Sequence, residues 1–502
     1  MFKTLANAWK IADLRQKLLF TIMIVLLYRI GAAIPVPFVS PLTMDTQGTT
    51  FEFLNTLSGG AFEQASLFAL GVSPYITASI VIQLLTVAIP ALERLAKQGE
   101  EGKKKITEIT RYITIGISVI TALGYYFLLK YNGAFNDLFG NSTFITVSSK
   151  GGQVALDILF AIVIIACYCA GSSIVMWLAE RINDKGIGNG ISVILFANIV
   201  SRALPLFTKF VNMFKLEISG FGPASNNSAL GTTTGPDGTI IPLPTDKLAG
   251  NAFPIGSILF TIFVLVGLLA MMWFIIFISD SERKIPVQYA KRVVGRKMYG
   301  GQNSNIPLKL NMAGVMPVIF ANAIITIPAM VSQFVSVTKE VDGNTVARQP
   351  WYQIVKWFSS SHWIYCLLTF VLILAFAYFY VAISFNPTEV AGNIQKNGGA
   401  IPGIRPGKAT STFIQKVLSK ITFIGALALS VIAVIPLMIH VVLEWVRHIN
   451  GGNVNIAFWA FTYLGELATI GTSVIIVVGV VLEIVREIEA QMTMRHYKGF
   501  LG

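Results

Sequence analysis

The chain has 502 residues, of which 54% are hydrophobic and only 13% are charged. Soluble domains usually carry charge on about a quarter of their residues, so this composition excludes an ordinary soluble protein and indicates a membrane protein. The net charge of +13 reflects either membrane topology or attraction of acidic partners.

Apolar runs along the chain predict ten transmembrane helices, each long enough or nearly so for a hydrocarbon core of about 30 Å. The predicted spans are 18–34, 72–89, 113–130, 154–178, 188–206, 255–279, 312–330, 363–385, 421–443 and 467–485. The predicted fold class is therefore an all-α, multi-pass membrane protein.

Lys and Arg residues concentrate in alternate loops, and the loop at 35–70 contains none. Cytoplasmic loops retain positive charge, so the pattern predicts that both termini are cytoplasmic. The polar stretch 207–254 then becomes an external linker between two five-span halves, 1–206 and 255–502. Halves with an odd number of spans enter the membrane from opposite sides, as in inverted repeats.

Turn signals in three loops predict local structure. Within the external linker, "TTTGPDGTII" has a turn flanked by β-forming residues and predicts a small hairpin. The cytoplasmic loop 280–311 predicts a second hairpin around Gly300 and Gly301. In the cytoplasmic loop 386–411, prolines and glycines predict a stiff turn that holds Arg405.

Two glycine-rich motifs are poor matches to nucleotide sites. "GIRPGKAT" is one residue short of a P-loop, has Ala409 at the Ser/Thr position and follows no predicted strand. "GIGNG" at 186–190 bridges two predicted spans. The sequence predicts no catalytic residues, no metal and no cofactor.

Five segments resemble those of one family. "FALGVSPYITASIVIQLL" (68–85) and "WLAERINDKGIGNGISVIL" (177–195) closely resemble the signature segments of the SecY family, the pore-forming subunits of the bacterial preprotein translocase. "NMAGVMPVIFA" (311–321), "IPGIRPGKAT" (401–410) and "QMTMRHYKGF" (491–500) are similar to further family segments. The resemblance implies a protein-conducting channel that translocates unfolded secretory proteins and releases apolar segments laterally into the membrane.

The resemblance also implies a re-entrant plug helix at 57–70, in an external funnel. Partly polar, non-spanning backbone is tolerated at membrane depth only where protein or water surrounds it, and the alternative is a loose external loop. Gly71 and Pro74 separate the segment from the span that follows. The candidate plug residues are Gly59, Gly60, Ala61, Phe62, Ser66 and Leu67.

A pore ring and a lateral gate are implied in the same way. The ring positions are all aliphatic; each residue taken singly favours ordinary helix packing, and only the family correspondence singles them out as a set: Val72, Ile76, Ile191, Leu195, Ile319 and Ile476. The gate lies between the helices that begin near Pro74 and Asn311. Its candidate residues are Thr77, Gln83, Asn322 and Ile327, of which the three polar ones are expected either to close the gate by interhelical hydrogen bonds or to form static structural bonds.

The family resemblance implies SecE-like and SecG-like membrane subunits, a SecA motor ATPase, the ribosome, signal-bearing unfolded polypeptides and membrane lipid as partners. The candidate residues for motor or ribosome binding are Arg283, Lys284, Lys291, Arg292, Arg405 and Lys408. Arg405 has the alternative role of serving topology or capping a helix.

The main alternative function is an ion-coupled secondary transporter with inverted repeats, which normally needs ionisable residues buried in mid-span. Arg29 is the clearest charge inside a span and is expected to snorkel to the external interface, whereas Glu180 lies at a span edge. An embedded enzyme would show a motif such as H-E-x-x-H or G-x-S-x-G, and the sequence has neither.

Overall fold

The architecture is seen in a computed structural model of the chain. The longer described stretches are 9–41, 51–131, 150–202, 254–289, 303–332, 362–449 and 457–498. Shorter described pieces are 208, 232–234, 240–242, 292–294, 297–299, 334, 338–341, 344–347 and 357–358.

Helices make up most of the first half. They are α1 (Ala12–Ala33), α2 (Glu52–Leu57), α3 (Ser73–Ala88), α4 (Pro90–Lys97), α5 (Glu100–Tyr131), α6 (Lys150–Lys185) and α7 (Gly190–Arg202). Helices α3 and α4 meet at an angle of 101°. The bend lies at Ile89, whose φ of −109° and ψ of 114° are extended, because a residue before proline is pushed out of the helical region.

The second half is also helical. Its helices are α8 (Pro254–Asp280), α9 (Met316–Ile325), α10 (Ile327–Ser332), α11 (Trp363–Ser384), α12 (Pro387–Lys396), α13 (Lys408–Ile449) and α14 (Ala457–Lys498). Helices α13 and α14 have 42 residues each. At 1.5 Å per residue such a helix is about 63 Å long, so both extend well beyond the hydrocarbon core.

Each of the ten predicted spans coincides with helix in the structure. Among the described residues, five helices are long and apolar enough to cross a bilayer, and the bent pair α3–α4 makes a sixth. The other four predicted spans are helical too. Span 312–330 is interrupted at Thr326, between α9 and α10, where Pro328 lacks the backbone N–H that would continue the helix.

Strands occur only in loops among the described residues. They are β1 (Thr232–Thr234), β2 (Ile240–Pro242), β3 (Glu282–Tyr289), β4 (Arg292–Val294), β5 (Lys297–Tyr299), β6 (Asn303–Lys309), β7 (Thr338–Val341), β8 (Asn344–Ala347) and β9 (Gly399–Ala400). Strands β1 and β2 pair antiparallel, which confirms the predicted hairpin. The β7–β8 hairpin was not predicted, although the Asp-Gly pair at 342–343 is a turn signal.

The cytoplasmic loop 280–311 folds as two nested hairpins. Strand β3 pairs with β6 from Glu282↔Lys309 to Gln288↔Asn303, and β4 pairs with β5 inside them. The prediction of one hairpin around Gly300 and Gly301 is wrong. These glycines lie between β5 and β6, but β5 pairs with β4 and β6 pairs with β3. Strand β3 also pairs with β9, so the two cytoplasmic loops share a three-stranded sheet in the order β6-β3-β9.

Candidate functional site

Four segments bring aliphatic side chains together at the centre of the helices. Val72 and Ile76 lie at the start of α3, Ile319 lies on α9 and Ile476 on α14. All four belong to one hydrophobic cluster and are almost fully buried. Ile191 and Leu195, one turn apart on α7, complete the ring; Leu195 is fully buried and Ile191 is partly buried against the same cluster. The structure therefore brings the six predicted ring residues into contact with one core.

Segment 57–70, hereafter the plug segment, packs directly against this core. Leu57, Ala61 and Phe68 are members of the cluster that contains the ring. Phe62 belongs to a second, adjoining cluster with residues of α5 and α6, and Leu67 packs against both clusters. The segment is thus buried protein and not a loose loop.

The backbone of the plug segment differs from the expected helix. The short helix α2 ends at Leu57, and a series of turns follows from residue 58 to residue 72. Gly59 and Gly60 have φ values of 68° and 90°, which is the left-handed region that glycine adopts without a steric penalty. Ala65 is also left-handed, with φ of 49°. These residues turn the chain back on itself, where a helix would run straight.

Polar contacts within the segment stabilise the turns. The side chain of Asn55 accepts from the backbone N of Glu63 at 3.3 Å and donates to the Glu63 carboxylate at 2.7 Å. Ser58 Oγ accepts from the backbone N of Phe62 at 3.0 Å, and Ser66 Oγ donates to the Ala61 carbonyl at 3.3 Å. Side chains therefore replace part of the hydrogen bonding that a helix would supply.

Arg29, which was expected to snorkel to the external interface, is partly buried and contacts the plug segment. Its Nη1 lies 3.4 Å from the backbone carbonyl oxygen of Gly59, to which it donates. Asn198 on α7, which the sequence analysis did not single out, donates to the carbonyl oxygen of Leu57 at 2.5 Å. Nothing local in the sequence marks these contacts, because 30 and 141 residues separate the partners.

Helices α3 and α9 pack against each other, as expected for the lateral gate. However, Thr77 Oγ1 donates to the Ser73 carbonyl and Gln83 Nε2 donates to Ser79 Oγ, both at 3.1 Å and both within α3. Both side chains therefore form the described hydrogen bonds within α3, and not the expected hydrogen bonds to the facing helix α9. A threonine hydroxyl in a helix readily reaches the carbonyl of the preceding turn.

The two gate candidates of the second half lie in different environments. Asn322 on α9 is only 1% exposed, and its Nδ2 has no hydrogen-bond partner among the described residues. Ile327 is 43% exposed at the start of α10, on the outer surface of the helices. Asn322 is therefore a buried polar group between apolar neighbours, whereas Ile327 is available to lipid.

The candidate cations lie on one folded unit formed by β3, β6, β9 and α12, hereafter the cytoplasmic platform after its predicted location. A small apolar core holds it together through Ile285, Leu308 and Ile401. The exposed candidates on it and just beyond it are Arg283, Lys284, Arg405 and Lys408. Lys291 lies outside the described residues, and for Arg292 only the backbone in β4 is described.

The platform is joined to the last helix at its base. Arg486 on α14 donates through Nη2 to the carbonyl oxygen of Ser279 at 2.5 Å and lies 3.4 Å from Asp280 Oδ1, at the end of α8. At the same junction, partial burial and then the charge of Arg486 lower the pKa of Lys309 on β6. These contacts join α14, which carries Ile476, to the end of α8 from which β3 continues.

Glu180 on α6 is buried and forms an ion pair with Arg111 of α5, which is half-exposed. Its carboxylate accepts from Arg111 Nε at 2.8 Å, and its second oxygen lies 2.7 Å from Arg111 Nη2. This two-point contact joins α5 to α6 and neutralises the carboxylate. Glu180 is therefore not a free acid of the kind that ion-coupled transport requires.

A family profile for SecY matches residues 66–485. The protein translocase subunit SecY of Streptomyces galbus is 40% identical over 513 aligned residues, covering 100% of both chains. The chain belongs to the SecY family. The resemblance to the SecY family is confirmed over the whole chain.

Solved SecY and Sec61 channels share the fold. Three of them are each 18% identical and cover 95% of this chain and 92% of their own. The first is a protein-conducting channel, with a TM-score of 0.54. The second is a SecY protein whose plug domain stabilises the closed state and maintains a membrane seal; its TM-score is 0.52. The third is Sec61 in a canine ribosome-channel complex, with a TM-score of 0.51. These likenesses establish the all-helical channel fold that the ten predicted spans anticipated.

Proposed function

We propose that this SecY-family chain forms the pore of a channel that moves unfolded secretory proteins across the plasma membrane and releases apolar segments into lipid. One observation carries the proposal. Six aliphatic side chains from α3, α7, α9 and α14, with Val72 at the start of α3, meet in one core, and the plug segment packs against them. Methyl groups close around an entering chain by van der Waals contact and select no particular sequence, which suits a conduit for many proteins.

The same geometry argues against an ion-coupled transporter. An ion site needs oxygen ligands or a titrating carboxylate in mid-membrane, but the ring is built of hydrocarbon. Glu180, the buried acid nearest to such a role, is held by Arg111. The function proposed here includes no enzymatic step.

The topology we propose places both termini in the cytoplasm, with halves 1–206 and 255–502 inserted in opposite orientations about the external linker 207–254. Exposed tryptophans support the depth of the spans. Trp177 and Trp273 lie near the proposed cytoplasmic ends of α6 and α8, and Trp363 and Trp445 lie near the external ends of α11 and α13. Tryptophan concentrates at both membrane–water interfaces.

We further propose that the cytoplasmic platform binds a SecA motor ATPase and the ribosome, and that SecE-like and SecG-like subunits pack against the helices in the membrane. Arg283, Lys284, Arg405 and Lys408 present positive charge that suits carboxylates of a motor or phosphates of ribosomal RNA. The Sec61 channel of similar fold occurs in a complex with the ribosome. Translocating polypeptides with signal sequences and membrane lipid complete the set of proposed partners.

The ring is tested by making it polar. We expect replacement of Ile191 and Ile319 by Asn to hydrate the constriction and weaken its closed state by about 1–3 kcal/mol per buried unpaired amide. Export of a reporter with a defective signal peptide should then rise about tenfold or more, since 1.4 kcal/mol corresponds to a factor of ten. Export of an intact reporter serves as the control. Equal export of the defective reporter by both channels would assign these residues to packing alone.

The lateral gate is tested at Asn322, whose amide is buried and incompletely paired. Replacement by leucine removes a polar group of similar size from an apolar interface, and we expect it to stabilise the closed gate by about 1–3 kcal/mol. Insertion of weakly apolar segments should fall, while insertion of strongly apolar segments should change little. The measurement is glycosylation-site or protease mapping of a graded series of reporter segments. A uniform effect on all segments would contradict a gating role.

A further inference from the structure

We propose that Arg29, Tyr125, Tyr168 and Asn198 are positioning residues that hold the plug segment in its closing position through hydrogen bonds to its backbone. The proposal rests on the function proposed above for that segment. Each residue lies on a different helix of the first half, α1, α5, α6 and α7 respectively. Each donates to one carbonyl oxygen, at Gly59, Phe62, Ala65 and Leu57 in turn.

Two tyrosines hold the second part of the segment. Tyr125 Oη donates to the carbonyl oxygen of Phe62, and Tyr168 Oη donates to that of Ala65 at 3.2 Å. Both tyrosines are fully buried, and their rings contact each other edge to face at 5.0 Å. Phe62 packs on Tyr125 with ring centroids 4.7 Å apart. The hydroxyls are therefore aimed at the plug segment from a rigid aromatic base.

Asn198 and Arg29 hold the first part. The amide of fully buried Asn198 uses one hydrogen for the Leu57 carbonyl and the other for Tyr28 Oη, at 2.9 Å. A Cβ on Gly59 would lie 2.9 Å from both Asn198 Oδ1 and Arg29 Nη1. Glycine at this position thus permits the close approach of both side chains, in addition to its left-handed backbone.

The chemistry explains how turns can remain at membrane depth. The carbonyls of a helix are paired internally, but carbonyls in turns need donors from elsewhere when they are buried. These four donors recognise backbone and not side chains. The closing position is therefore set by the helices, and a polypeptide that separates them withdraws several donors from the plug segment together.

The test uses the full-length chain with its membrane partners in planar bilayers. We expect the double variant Tyr125→Phe, Tyr168→Phe to open at rest about tenfold more often than the parent, because the rings remain while the two donors are lost. Ser430→Ala is the matched control, since Ser430 is equally buried but donates within α13 to Ala426 at 2.7 Å. Asn198→Leu is a second variant that removes a different donor, and it should also raise resting openings.

The same double variant is also made in a channel that lacks residues 59–68. If the tyrosines act through the plug segment, they should add nothing there. Further leakage in that background would overturn the proposal and indicate general damage to the helices. If the deletion causes leakage but neither the tyrosine double variant nor the Asn198 variant does, the positioning proposal is overturned and the plug function still stands. An absence of leakage after the deletion itself would refute the plug function instead.

Discussion

Deletion of residues 59–68 should leave a folded channel that conducts ions at rest. The removed residues include Ala61 and Phe68, which belong to the same core as the aliphatic ring, and Phe62, which belongs to the adjoining core. The ring alone is a narrow hydrocarbon constriction that seals by excluding water, and water can re-enter once the packing on its external side is lost. We expect an increase in resting conductance well above tenfold, measured on single channels in planar bilayers.

A deletion of equal length in the external linker, residues 221–230, provides the control. It shortens the chain by the same amount and lies in the polar linker, outside the predicted spans and the plug segment. Detergent extraction and elution as a single species would show that both variants fold. Resting conductance equal to that of the parent would contradict the plug assignment, even if export were altered.

The helices could be predicted because the membrane imposes a simple rule on them. Every buried backbone group must be paired within the span, so long apolar runs become helices and all ten coincide with the structure. The hairpin at β1 and β2 followed from equally local information, since a turn signal lay between two short β-forming stretches. Predictions succeeded where the cause lies within a few residues of the effect.

The plug segment shows why the remainder could not be predicted in detail. Gly59 and Gly60 were predicted as plug residues, and both adopt the left-handed backbone that glycine favours. That the turns continue to residue 72 depends on donors such as Tyr168, which is 103 residues from its acceptor Ala65. A single sequence does not indicate which distant residues will form a hydrogen bond of this kind. The same limitation misled the hairpin prediction at Gly300 and Gly301, because β3 selects its partners β6 and β9 through the fold of the platform.

The gate residues illustrate a second limitation, which is competition between nearby acceptors. Thr77 and Gln83 were expected to reach the facing helix, but each found an acceptor one turn away on α3. A local hydrogen bond costs less ordering of the chain than one between two helices. Asn322 is the exception, because its amide is buried in α9 with one donor atom left unpaired. Its effect on gating therefore comes from an amide donor that the packing of α3 against α9 leaves without a hydrogen-bond acceptor among the described residues.

Arg405→Glu should nearly abolish export, and Arg405→Lys should impair it appreciably. Arg405 is exposed between Gly403 and Gly407, which have left-handed φ values of 81° and 99°. Its carbonyl oxygen accepts from Thr410 Oγ1 at 2.9 Å, and the preceding strand β9 is anchored to β3. The backbone thus holds the guanidinium at a defined place, where its planar donors can form two-point contacts with a carboxylate or a phosphate.

Lysine and glutamate separate this contact from a general effect of charge. Lysine keeps the positive charge and preserves topology, but it lacks the planar pair of donors. The loss of about 1.5–3 kcal/mol of charge-assisted hydrogen bonding corresponds to roughly 10- to 150-fold weaker motor binding. Glutamate adds repulsion to that loss. Lys396→Glu is the matched control, since Lys396 is an exposed cation at the end of α12 in the same loop. The measurement is motor-driven translocation into inverted vesicles, together with motor affinity, channel abundance and resting conductance. Full translocation by the Arg405→Glu channel, or an equal loss in the Lys396→Glu channel, would show that the loop acts only through its net charge or not at all.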